Sequence, residues 1–438
     1  METSPRAVGD ELVLAGPRPL RGRLRVPGDK GMSHRALLFA AMAVGRSRVG
    51  GLAGGEDVGR TRAALGQLGV AITDGGDGLL VEGRGVDAFS EPGDVVDCGN
   101  SGTSMRLLTG VLAGRPFLSV LDGDESLRAR PMARVLEPLR TMGARLDGRA
   151  GGTRAPIVVR GGDLVGCAHE LAVASAQVKT ALLLAGLQAT GTTEVVEPAP
   201  SRDHTERMLA ALGAPVTRVD ARTVRTTAGA PSPFEFTVPG DPSSAAFWVV
   251  AATITPGSEL VVEDVALNPS RIAFVDVLVR MGASIEVAAT GERLGEPVGE
   301  LRVRSASLHG TTVEGGEIPG VIDEIPILAV AAACAEGLTE FRDAAELRVK
   351  ESDRIATVGE LLTRLGVGAE QGDDRLVVRG GRLQPGRVDS HGDHRIAMAG
   401  AVAAGAIEGE TRVRGWRAVA TSYPEFTTDL AALTGDPV

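Results

Sequence analysis

The feature that most constrains this chain is a pattern that recurs six times along its 438 residues. Each copy is a helix-length run that is apolar on all sides, followed by a glycine and a short strand; the glycines are Gly45, Gly114, Gly191, Gly257, Gly337 and Gly409. Amphipathic helices form a second series, ending in Leu-Gly or Met-Gly at Gly69, Gly143, Gly213, Gly282 and Gly366, with a weaker copy at Gly435. An all-apolar helix must be buried, whereas an amphipathic helix covers one side of a core. The repeat therefore predicts an α/β protein.

Six units of roughly 70 residues are too many for one ordinary core, and they divide naturally into two domains of three units each. The stretch 230–240, rich in Pro and Gly near the midpoint, is the natural boundary. A glycine that follows a helix suits a C-cap with positive φ.

The starts of the six apolar helices carry residues that cap helices well. These starts are predicted near Ser33, Ser101 to Thr103, Ser175, Asp241 to Ser244, Asp323 and Asp393. A helix start carries partial positive charge and exposed N–H groups, so several starts pointing to one place would bind phosphate and carboxylate. For any single copy, capping for stability alone explains the residue equally well.

Composition excludes several classes of function. A net charge of −10 and an aromatic content of 3% argue against a nucleic-acid partner. The apolar runs are too short to span a membrane, and the start Met-Glu-Thr-Ser-Pro has no signal-peptide pattern, so we expect a cytoplasmic protein. Three cysteines, spread far apart without metal-ligand spacing, predict free thiols and no metal or other cofactor.

The basic residues carry a sharper signal. Of 46 Lys and Arg residues only three are lysines, namely Lys30, Lys179 and Lys350. A compact ammonium does different work from a planar guanidinium, so each lysine is a candidate functional residue. Lys30 stands in the segment 27–35, PGDKGMSHR, which brings an ammonium, a hydroxyl and a guanidinium to a helix start. Such a cluster suits a phosphate together with a carboxylate.

That segment resembles the first signature of the 5-enolpyruvylshikimate-3-phosphate (EPSP) synthase family. Further segments resemble the family in the same order, at 97–106, 124–131, 175–179, 201–206, 323–329, 348–354 and 393–395. The segment 348–354, RVKESDR, is the most specific of them. Its spacing predicts a helix with Lys350 and Arg354 on one face and Glu351 turned about 100° away.

The resemblance implies a role for individual residues of this sequence. It implies that Asp323, Glu351, Lys30 and His394 take part in the chemistry, with Asp323 accepting the proton of the acceptor hydroxyl and Glu351 a candidate donor to the enol carbon. The implied contacts to shikimate-3-phosphate are Lys30, Gly31, Arg35, Ser175, Ala176, Gln177, Ser201, Arg202, Asp323 and Lys350. The implied contacts to phosphoenolpyruvate are Lys30, Gly102, Arg130, Gln177, Arg354 and Arg395. Lys179 receives no role.

The resemblance also implies an activity and an architecture. The activity is transfer of the enolpyruvyl group of phosphoenolpyruvate to the 5-hydroxyl of shikimate-3-phosphate with release of phosphate, a step of aromatic amino-acid biosynthesis that glyphosate inhibits. The architecture is an inside-out α/β barrel in each of two similar domains, built from three βαβαββ repeats around buried helices. The domains are residues 29–238 and residues 1–28 plus 239–438, with the active site in the cleft between them. We expect a monomer without a nucleic-acid or membrane partner.

Two alternatives and three departures from the family pattern stay in view. UDP-N-acetylglucosamine enolpyruvyl transferases share the chemistry, but they carry Lys-Asn where this chain has Lys30-Gly31 and use a loop cysteine not found here. A catalytically silent relative is the other alternative, which the presence of Asp323, Lys350, Glu351 and Arg354 disfavours. Gly31 stands where the family usually has Ser, which predicts weaker acceptor binding. Glu346, Leu347 and the segment 421–424 resemble the second bacterial branch of the family.

Overall fold

The structure, a computed structural model, describes residues 6–435. The first five residues, on which the expectation of no signal peptide depends, lie outside the described part, as do residues 436–438. The helices are α1 (Lys30–Met42), α2 (Glu56–Gln67), α3 (Gly102–Leu112), α4 (Glu125–Ala129), α5 (Ala133–Thr141), α6 (Arg149–Gly152), α7 (Ala176–Gly186), α8 (His204–Ala211), α9 (Pro242–Ile254), α10 (Ala273–Arg280), α11 (Ile318–Val321), α12 (Ile325–Ala333), α13 (Arg354–Arg364), α14 (His394–Gly405) and α15 (Phe426–Thr434).

The strands are short, and single 3₁₀ turns join some of them to helices. The strands are β1 (Arg6–Val8), β2 (Glu11–Gly16), β3 (Arg21–Arg25), β4 (Val44–Gly50), β5 (Ala71–Asp74), β6 (Leu79–Arg84), β7 (Val96–Asp97), β8 (Leu118–Asp122), β9 (Arg145–Gly148), β10 (Arg154–Arg160), β11 (Ala168–Glu170), β12 (Thr192–Val196), β13 (Val216–Arg218), β14 (Thr223–Thr227), β15 (Glu235–Thr237), β16 (Glu259–Ala266), β17 (Ser284–Arg293), β18 (Glu296–Arg304), β19 (Thr312–Val313), β20 (Leu338–Phe341), β21 (Ala369–Gln371), β22 (Leu376–Arg379), β23 (Arg387–Asp389) and β24 (Gly409–Arg414). The 3₁₀ segments are Val86–Ala88, Gly315–Glu317, Ala345–Val349 and Trp416–Thr421.

The chain forms two compact units. The N-terminal unit consists of Gly28–Val238 with Glu292–Glu296. The C-terminal unit consists of the residues up to Pro27, Pro239–Gly291 and the residues from Pro297 onward. Among the described residues, no helix combines the length and the apolar character needed to cross a membrane.

Within residues 6–435 the strands form six four-stranded sheets of one design, three in each unit. In the N-terminal unit the strand orders are β15-β4-β6-β5, β7-β8-β10-β9 and β11-β12-β14-β13. In the C-terminal unit they are β17-β18-β16-β3, β19-β20-β22-β21 and β1-β2-β24-β23. One edge strand of each sheet lies parallel to its neighbour, as β7 does to β8, and the pairs beyond it are antiparallel, as β8 is to β10 and β10 to β9. The predicted sixfold α/β repeat is therefore confirmed.

One sheet in the N-terminal unit and two in the C-terminal unit are completed by a segment distant in sequence. In the N-terminal unit, Glu235–Thr237 (β15) pairs in parallel with residues 48–50 of β4. In the C-terminal unit, β3 pairs in parallel with β16, from Arg21 opposite Glu259 onward. In another sheet of that unit, β2 pairs antiparallel with β24 along its whole length. The chain therefore passes from the C-terminal unit into the N-terminal unit at Gly28 and returns to the C-terminal unit at Pro239.

The six helices predicted to be buried are buried. In α12 every residue is buried, and in α9 all but the last residue are. The glycines that follow these helices are not C-caps, because the helices end two to five residues earlier, at Met42, Leu112, Gly186, Ile254, Ala333 and Gly405. Gly114, Gly191, Gly257 and Gly337 lie instead in the turn into the next strand, and the last three adopt positive φ there. Gly45 lies within β4 and Gly409 begins β24, both with positive φ.

The second glycine series does end helices as predicted. Gly143 follows α5 with φ of 108°, its N–H bonds to the Arg140 carbonyl, and the Ala144 N–H bonds to the Leu139 carbonyl. This pair of bonds is the Schellman arrangement, which satisfies carbonyls that the helix leaves without partners. Gly69, Gly213, Gly282 and Gly366 end α2, α8, α10 and α13 with positive φ in the same way.

Two buried helices of the N-terminal unit approach each other through a glycine, which yields a prediction. A Cβ atom at Gly110 of α3 would lie 2.3 Å from the Ala181 carbonyl oxygen and 2.7 Å from the Ala181 Cα atom of α7. Backbone atoms cannot move aside as a side chain can, so the helices must separate. We expect Gly110→Ala to reduce the free energy of unfolding by about 1–3 kcal/mol, measured by urea denaturation.

The matched control is Gly59→Ala on α2, where nothing lies within 4 Å of the new Cβ atom. This exposed change removes a flexible residue from a helix interior, so it should stabilise the protein by up to about 1 kcal/mol. A Gly110→Ala variant as stable as the control would contradict the close helix contact.

Candidate active site

Lys30 lies between the starts of two helices of the N-terminal unit. Its Nζ atom is 3.0 Å from Oδ2 of Asp57, which stands in the first turn of α2. Helix α1 was predicted to begin near Ser33, but it begins at Lys30. The reason is that Asp29 is the N-cap and accepts a hydrogen bond of 2.7 Å from the Met32 N–H. Ser33 instead uses its hydroxyl to bond the Asp29 carbonyl at 2.8 Å.

A buried chain of hydrogen bonds joins the starts of α1, α2 and α3. His34 Nδ1 lies 2.7 Å from Thr61 Oγ1, and Thr61 lies 2.8 Å from Ser104 Oγ. Ser104 then donates to Ser101 Oγ at 2.8 Å, and Ser101 caps α3 as predicted. Burial, together with the neighbouring charges of Lys30 and Arg35, lowers the pKa of His34 to about 3. The imidazole is therefore neutral at pH 7. These hydrogen bonds hold the three helices together without adding a charge.

Side chains with nitrogen donors surround Gly102 at the start of α3. A Cβ atom at Gly102 would lie 3.1 Å from Arg106 Nη1 and 3.3 Å from Arg130 Nη1. Arg106 donates to the Gln177 side-chain oxygen, and the Gln177 amide donates to Thr103 Oγ1 at 2.8 Å. The structure thus brings Gly102, Arg130 and Gln177 close together. That these three residues contact one ligand, phosphoenolpyruvate, stays a prediction.

Three predicted residues of the N-terminal unit, Arg130, Ser175 and Arg35, contact neighbouring residues of the same unit. Arg130 donates to Asn100 Oδ1 at 2.5 Å, which ties it to the turn before α3. Ser175 is the N-cap of α7, as predicted. Arg35 is only 3% exposed and donates to Thr205 Oγ1 and Thr180 Oγ1, each at 2.7 Å, and to the Gly31 carbonyl at 2.9 Å.

In the C-terminal unit two cations meet at one carboxylate. Lys350 Nζ lies 3.3 Å and Arg354 Nη1 lies 3.4 Å from Oδ1 of Asp323. The prediction that Lys350 and Arg354 share a helix face is wrong, since the 3₁₀ turn ends at Val349 and α13 begins at Arg354. Asp353 is the reason: its carboxylate accepts a bond of 3.1 Å from the Ala356 N–H and caps α13. Lys350 is extended, and the two side chains converge from different elements.

Arg354 is the centre of this cluster. Its guanidinium is 1% exposed and lies 2.6 Å from Glu351 Oε2 and 2.8 Å from Asp393 Oδ2. Burial would lower the pKa of Arg354, but the charges of Asp393, Glu351 and Asp323 raise it above its ordinary value. Burial would likewise raise the pKa of Asp393, and the Arg354 guanidinium instead lowers it below its ordinary range. Both groups are therefore charged at pH 7.

Asp393 and Glu324 link the cluster to two helix starts. Asp393 caps α14 as predicted, accepting from the Arg395 N–H at 2.9 Å. Asp323 is not the cap of α12, because the helix begins at Ile325 after Glu324, which leaves the Asp323 carboxylate to bind Lys350 and Arg354. Arg395 donates to the Asp323 carbonyl at 3.0 Å and lies 3.7 Å from Glu324 Oε1, while the neighbouring His394 is 3% exposed.

Several polar residues of these clusters were not predicted from the sequence. They are Asp57, Asn100, Arg106, Glu324 and Asp393 in its role as partner of Arg354. The place of Arg106 beside Gly102 could have been predicted, because the two residues are four apart on one helix and so lie on the same face. The pairing of Lys30 with Asp57 could not have been predicted, since it depends on how α1 packs against α2.

Comparison with known proteins shows the family of the chain. The family model for EPSP synthase (3-phosphoshikimate 1-carboxyvinyltransferase) matches residues 14–430. The chain belongs to the EPSP synthase family. A 3-phosphoshikimate 1-carboxyvinyltransferase from Synechococcus sp. (strain JA-3-3Ab) is 52% identical over 430 residues, which cover 97% of each chain. The family resemblance of the motifs is confirmed, and the chain is a transferase.

Solved structures show the same fold. An EPSP synthase from Acinetobacter baumannii superposes with a TM-score of 0.86 at 40% sequence identity, covering 97% of this chain and 98% of the other. The enolpyruvyl transferase NikO from Streptomyces tendae superposes with a TM-score of 0.77 at 20% identity, covering 97% of this chain and 98% of NikO, a likeness that concerns the fold alone. The predicted enolpyruvyl transferase fold is confirmed.

The ion pair between Arg354 and Asp393 predicts how acid destabilises the protein. Because the folded-state pKa of Asp393 is lowered, the stability it contributes is present above the unfolded-state value of about 3.9 and is lost as the pH falls through the folded value. We expect Asp393→Asn to lower the free energy of unfolding by about 3–5 kcal/mol at pH 7 and to flatten its decrease below about pH 4, measured by urea denaturation at a series of pH values.

Asp276→Asn, an exposed carboxylate on α10 of the same unit, is the control and should leave the acid dependence close to that of the unchanged protein. An acid dependence in Asp393→Asn as steep as in the control would show that this ion pair is not a source of acid sensitivity.

Proposed function

We propose that the chain transfers the enolpyruvyl group of phosphoenolpyruvate to the 5-hydroxyl of shikimate-3-phosphate and releases phosphate, and that the two clusters described above carry this reaction. The observation that supports this most strongly is the convergence of Lys350 and Arg354 on Asp323, with Glu351 on the same guanidinium. It supplies two carboxylates for proton transfer beside two cations for anionic substrates. The family membership of the chain supports the same activity.

Asp323 is the proposed base. The reaction requires the acceptor hydroxyl to lose its proton as its oxygen attacks C2 of phosphoenolpyruvate, and a carboxylate is a suitable acceptor for that proton. The neighbouring ammonium of Lys350 and guanidinium of Arg354 keep this carboxylate in a fixed position. Lys350 is also the proposed contact to the acceptor, which would bring the hydroxyl to the base.

Glu351 is the proposed acid. C3 of phosphoenolpyruvate gains a proton when C2 is attacked, and the adduct must lose one from the same carbon when phosphate leaves. A single carboxyl group can donate the first and accept the second. Arg354 holds Glu351 at 2.6 Å and, with Arg395, is the proposed partner of the phosphoenolpyruvate anion. His394 is proposed to lie close to these steps.

The N-terminal unit is proposed to supply the anion contacts. Lys30, Gly102, Arg130 and Gln177 are the proposed partners of phosphoenolpyruvate, for which Lys30 and Arg130 supply charge-assisted donors. Lys30 and Gln177 are also proposed to contact shikimate-3-phosphate, and so are Gly31, Arg35, Ser175, Ala176, Ser201 and Arg202. Preorganised donors of this kind stabilise the charge that develops as phosphate leaves. We further propose that the protein works as a monomer in the cytoplasm, where glyphosate would inhibit it.

The role of Glu351 can be tested by measuring phosphate release from phosphoenolpyruvate and shikimate-3-phosphate. Glu351→Gln keeps the size of the side chain but removes its acidic proton, so we expect kcat to fall by about 10²–10⁴-fold. The control is Glu346→Gln, an exposed change five residues earlier, which should keep kcat within about twofold.

UDP-N-acetylglucosamine in place of shikimate-3-phosphate should release no phosphate. Turnover with that acceptor, or none with shikimate-3-phosphate, would overturn the proposed function. A Glu351→Gln variant as active as Glu346→Gln would overturn the role of Glu351 alone.

Gly31 allows a test of the proposed acceptor contacts. A Cβ atom there would lie 3.2 Å from Asp29 Oδ1 and 3.4 Å from Arg35 Nη1, so a small side chain fits after a shift of a few tenths of an ångström. A serine hydroxyl would add one hydrogen bond, and we expect Gly31→Ser to lower the KM for shikimate-3-phosphate by about 2–10-fold. Gly31→Ala, which adds the Cβ atom without the hydroxyl, should bring no such gain. An unchanged KM in Gly31→Ser would refute the proposed contact.

A further inference from the structure

Lys179, to which the sequence motifs assign no role, is buried in an ionic cluster. It lies on α7 with its side chain 2% exposed, and its Nζ atom is 2.7 Å from both Glu197 Oε2 and Glu206 Oε1. The two carboxylates are 2% and 6% exposed. A lysine is almost never buried this deeply unless it is paired, because removing an ammonium from water is costly. The ammonium therefore depends on these two partners, and they depend on it.

The two glutamates stand at the two ends of one loop segment. Glu197 directly follows β12, and Glu206 stands in the first turn of α8. The segment 198–203 between them carries Ser201 and Arg202, two of the proposed contacts to shikimate-3-phosphate. One ammonium thus holds both ends of that segment.

Ser201 is attached to the same cluster directly. Its hydroxyl donates to Oε1 of Glu197, while Oε2 of that carboxylate binds Lys179. The position of the Ser201 hydroxyl is therefore set through Glu197 by the ammonium. If Lys179 is removed, Glu197 loses the charge that fixes its orientation, and Ser201 loses a fixed partner.

A second cation lies beside the cluster. Arg35 binds Thr180 and Thr205, the neighbours in sequence of Lys179 and Glu206. Burial lowers the pKa of Arg35 to about 10, against the opposing attraction of Glu206, and the nearby charge of Arg202 lowers it as well. Glu206 therefore lies near two cations, Lys179 in direct contact and Arg35 beside it. Burial also raises the pKa of Glu206, which Lys179 opposes.

We propose that Lys179 is a positioning residue, whose ammonium holds the segment 198–203 so that Ser201 and Arg202 can contact the acceptor, shikimate-3-phosphate. This rests on the proposed function, in which those two residues contact that acceptor. Stability alone does not account for the cluster, because apolar residues of similar volume often serve a core at least as well as a buried ion pair. What the charges add is a fixed geometry for the segment.

The test is the double variant Lys179→Met with Glu206→Gln, assayed by phosphate release. One ammonium and two carboxylates become one carboxylate, so the net charge of the cluster stays at −1. Glu197 keeps its charge but loses its ammonium partner, which is the loss that the proposal concerns. We expect the KM for shikimate-3-phosphate to rise by about tenfold, the effect of losing roughly one good hydrogen bond to a charged group, while kcat and the KM for phosphoenolpyruvate stay within about twofold.

The matched control is Leu209→Ala, which removes a fully buried side chain from the same helix α8 without touching the cluster. It lowers the melting temperature but should leave both KM values unchanged. If the double variant does not fold, Glu197→Gln replaces it, since the amide oxygen can still accept from Ser201 while its attraction to Lys179 is weakened. A smaller rise in the acceptor KM alone is then expected.

The proposal is overturned if the KM for shikimate-3-phosphate stays unchanged in the double variant. It is also overturned if the KM for shikimate-3-phosphate and the KM for phosphoenolpyruvate rise together. The same two outcomes apply to Glu197→Gln where that variant replaces the double variant. Arg202→Gln separates this failure from a failure of the proposed function. If Arg202→Gln raises the acceptor KM and the cluster variant does not, only the role of Lys179 is wrong. If Arg202→Gln leaves the acceptor KM unchanged, the assignment of the contacts to shikimate-3-phosphate is wrong, and the role of Lys179 falls with it.

Discussion

The constraint on which the rest of the structure depends is that the buried helices are packed on every side. Helices α9, α12 and α14 are buried along almost their whole length, and they contact one another. Polar side chains can therefore occur only at the ends of these helices, where backbone N–H groups need partners. Asp241, Glu324 and Asp393 stand at those starts, and two of them, Glu324 and Asp393, belong to the cluster around Arg354. The polar groups to which we assign the chemistry therefore lie at or near helix starts, because the apolar core leaves no other place for them.

Most of the fold and part of the site could be predicted from the sequence. The sixfold repeat was readable because both helix types and their glycines recur, and the positions of Ser101, Ser175 and Asp393 as caps follow from residue type alone. The prediction of one helix that contains Lys350 and Arg354 was wrong. The spacing of the charged residues fits a helix, but Asp353 is an N-cap, so α13 begins only at Arg354. The partners of Lys179 lie 18 and 27 residues away, and only tertiary packing brings them to one ammonium.

Cations in both clusters are paired with carboxylates of the protein itself. Lys30 faces Asp57, Lys350 faces Asp323, and Arg354 faces Glu351 and Asp393. These pairs keep buried charges stable while no substrate is bound, since an unpaired buried charge is expensive. Under the proposed function, a substrate phosphate or carboxylate has to compete with these carboxylates or bind in addition to them. The proposed site would then favour ligands whose charge and geometry satisfy the cations better than one carboxylate does.

The closure of the units by distant strands sets an order of events during synthesis. All strands of the N-terminal unit's sheets lie between residues 44 and 237, so those sheets can form once that stretch has left the ribosome. Strands β2 and β3 are synthesised before every strand of the N-terminal unit, yet β3 has to wait for β16 and β2 for β24, nearly 400 residues later. An unpaired strand edge is a site for aggregation, so these two strands stay exposed to misassembly for a long part of synthesis. A chaperone that binds the nascent chain would have its main task at these first strands.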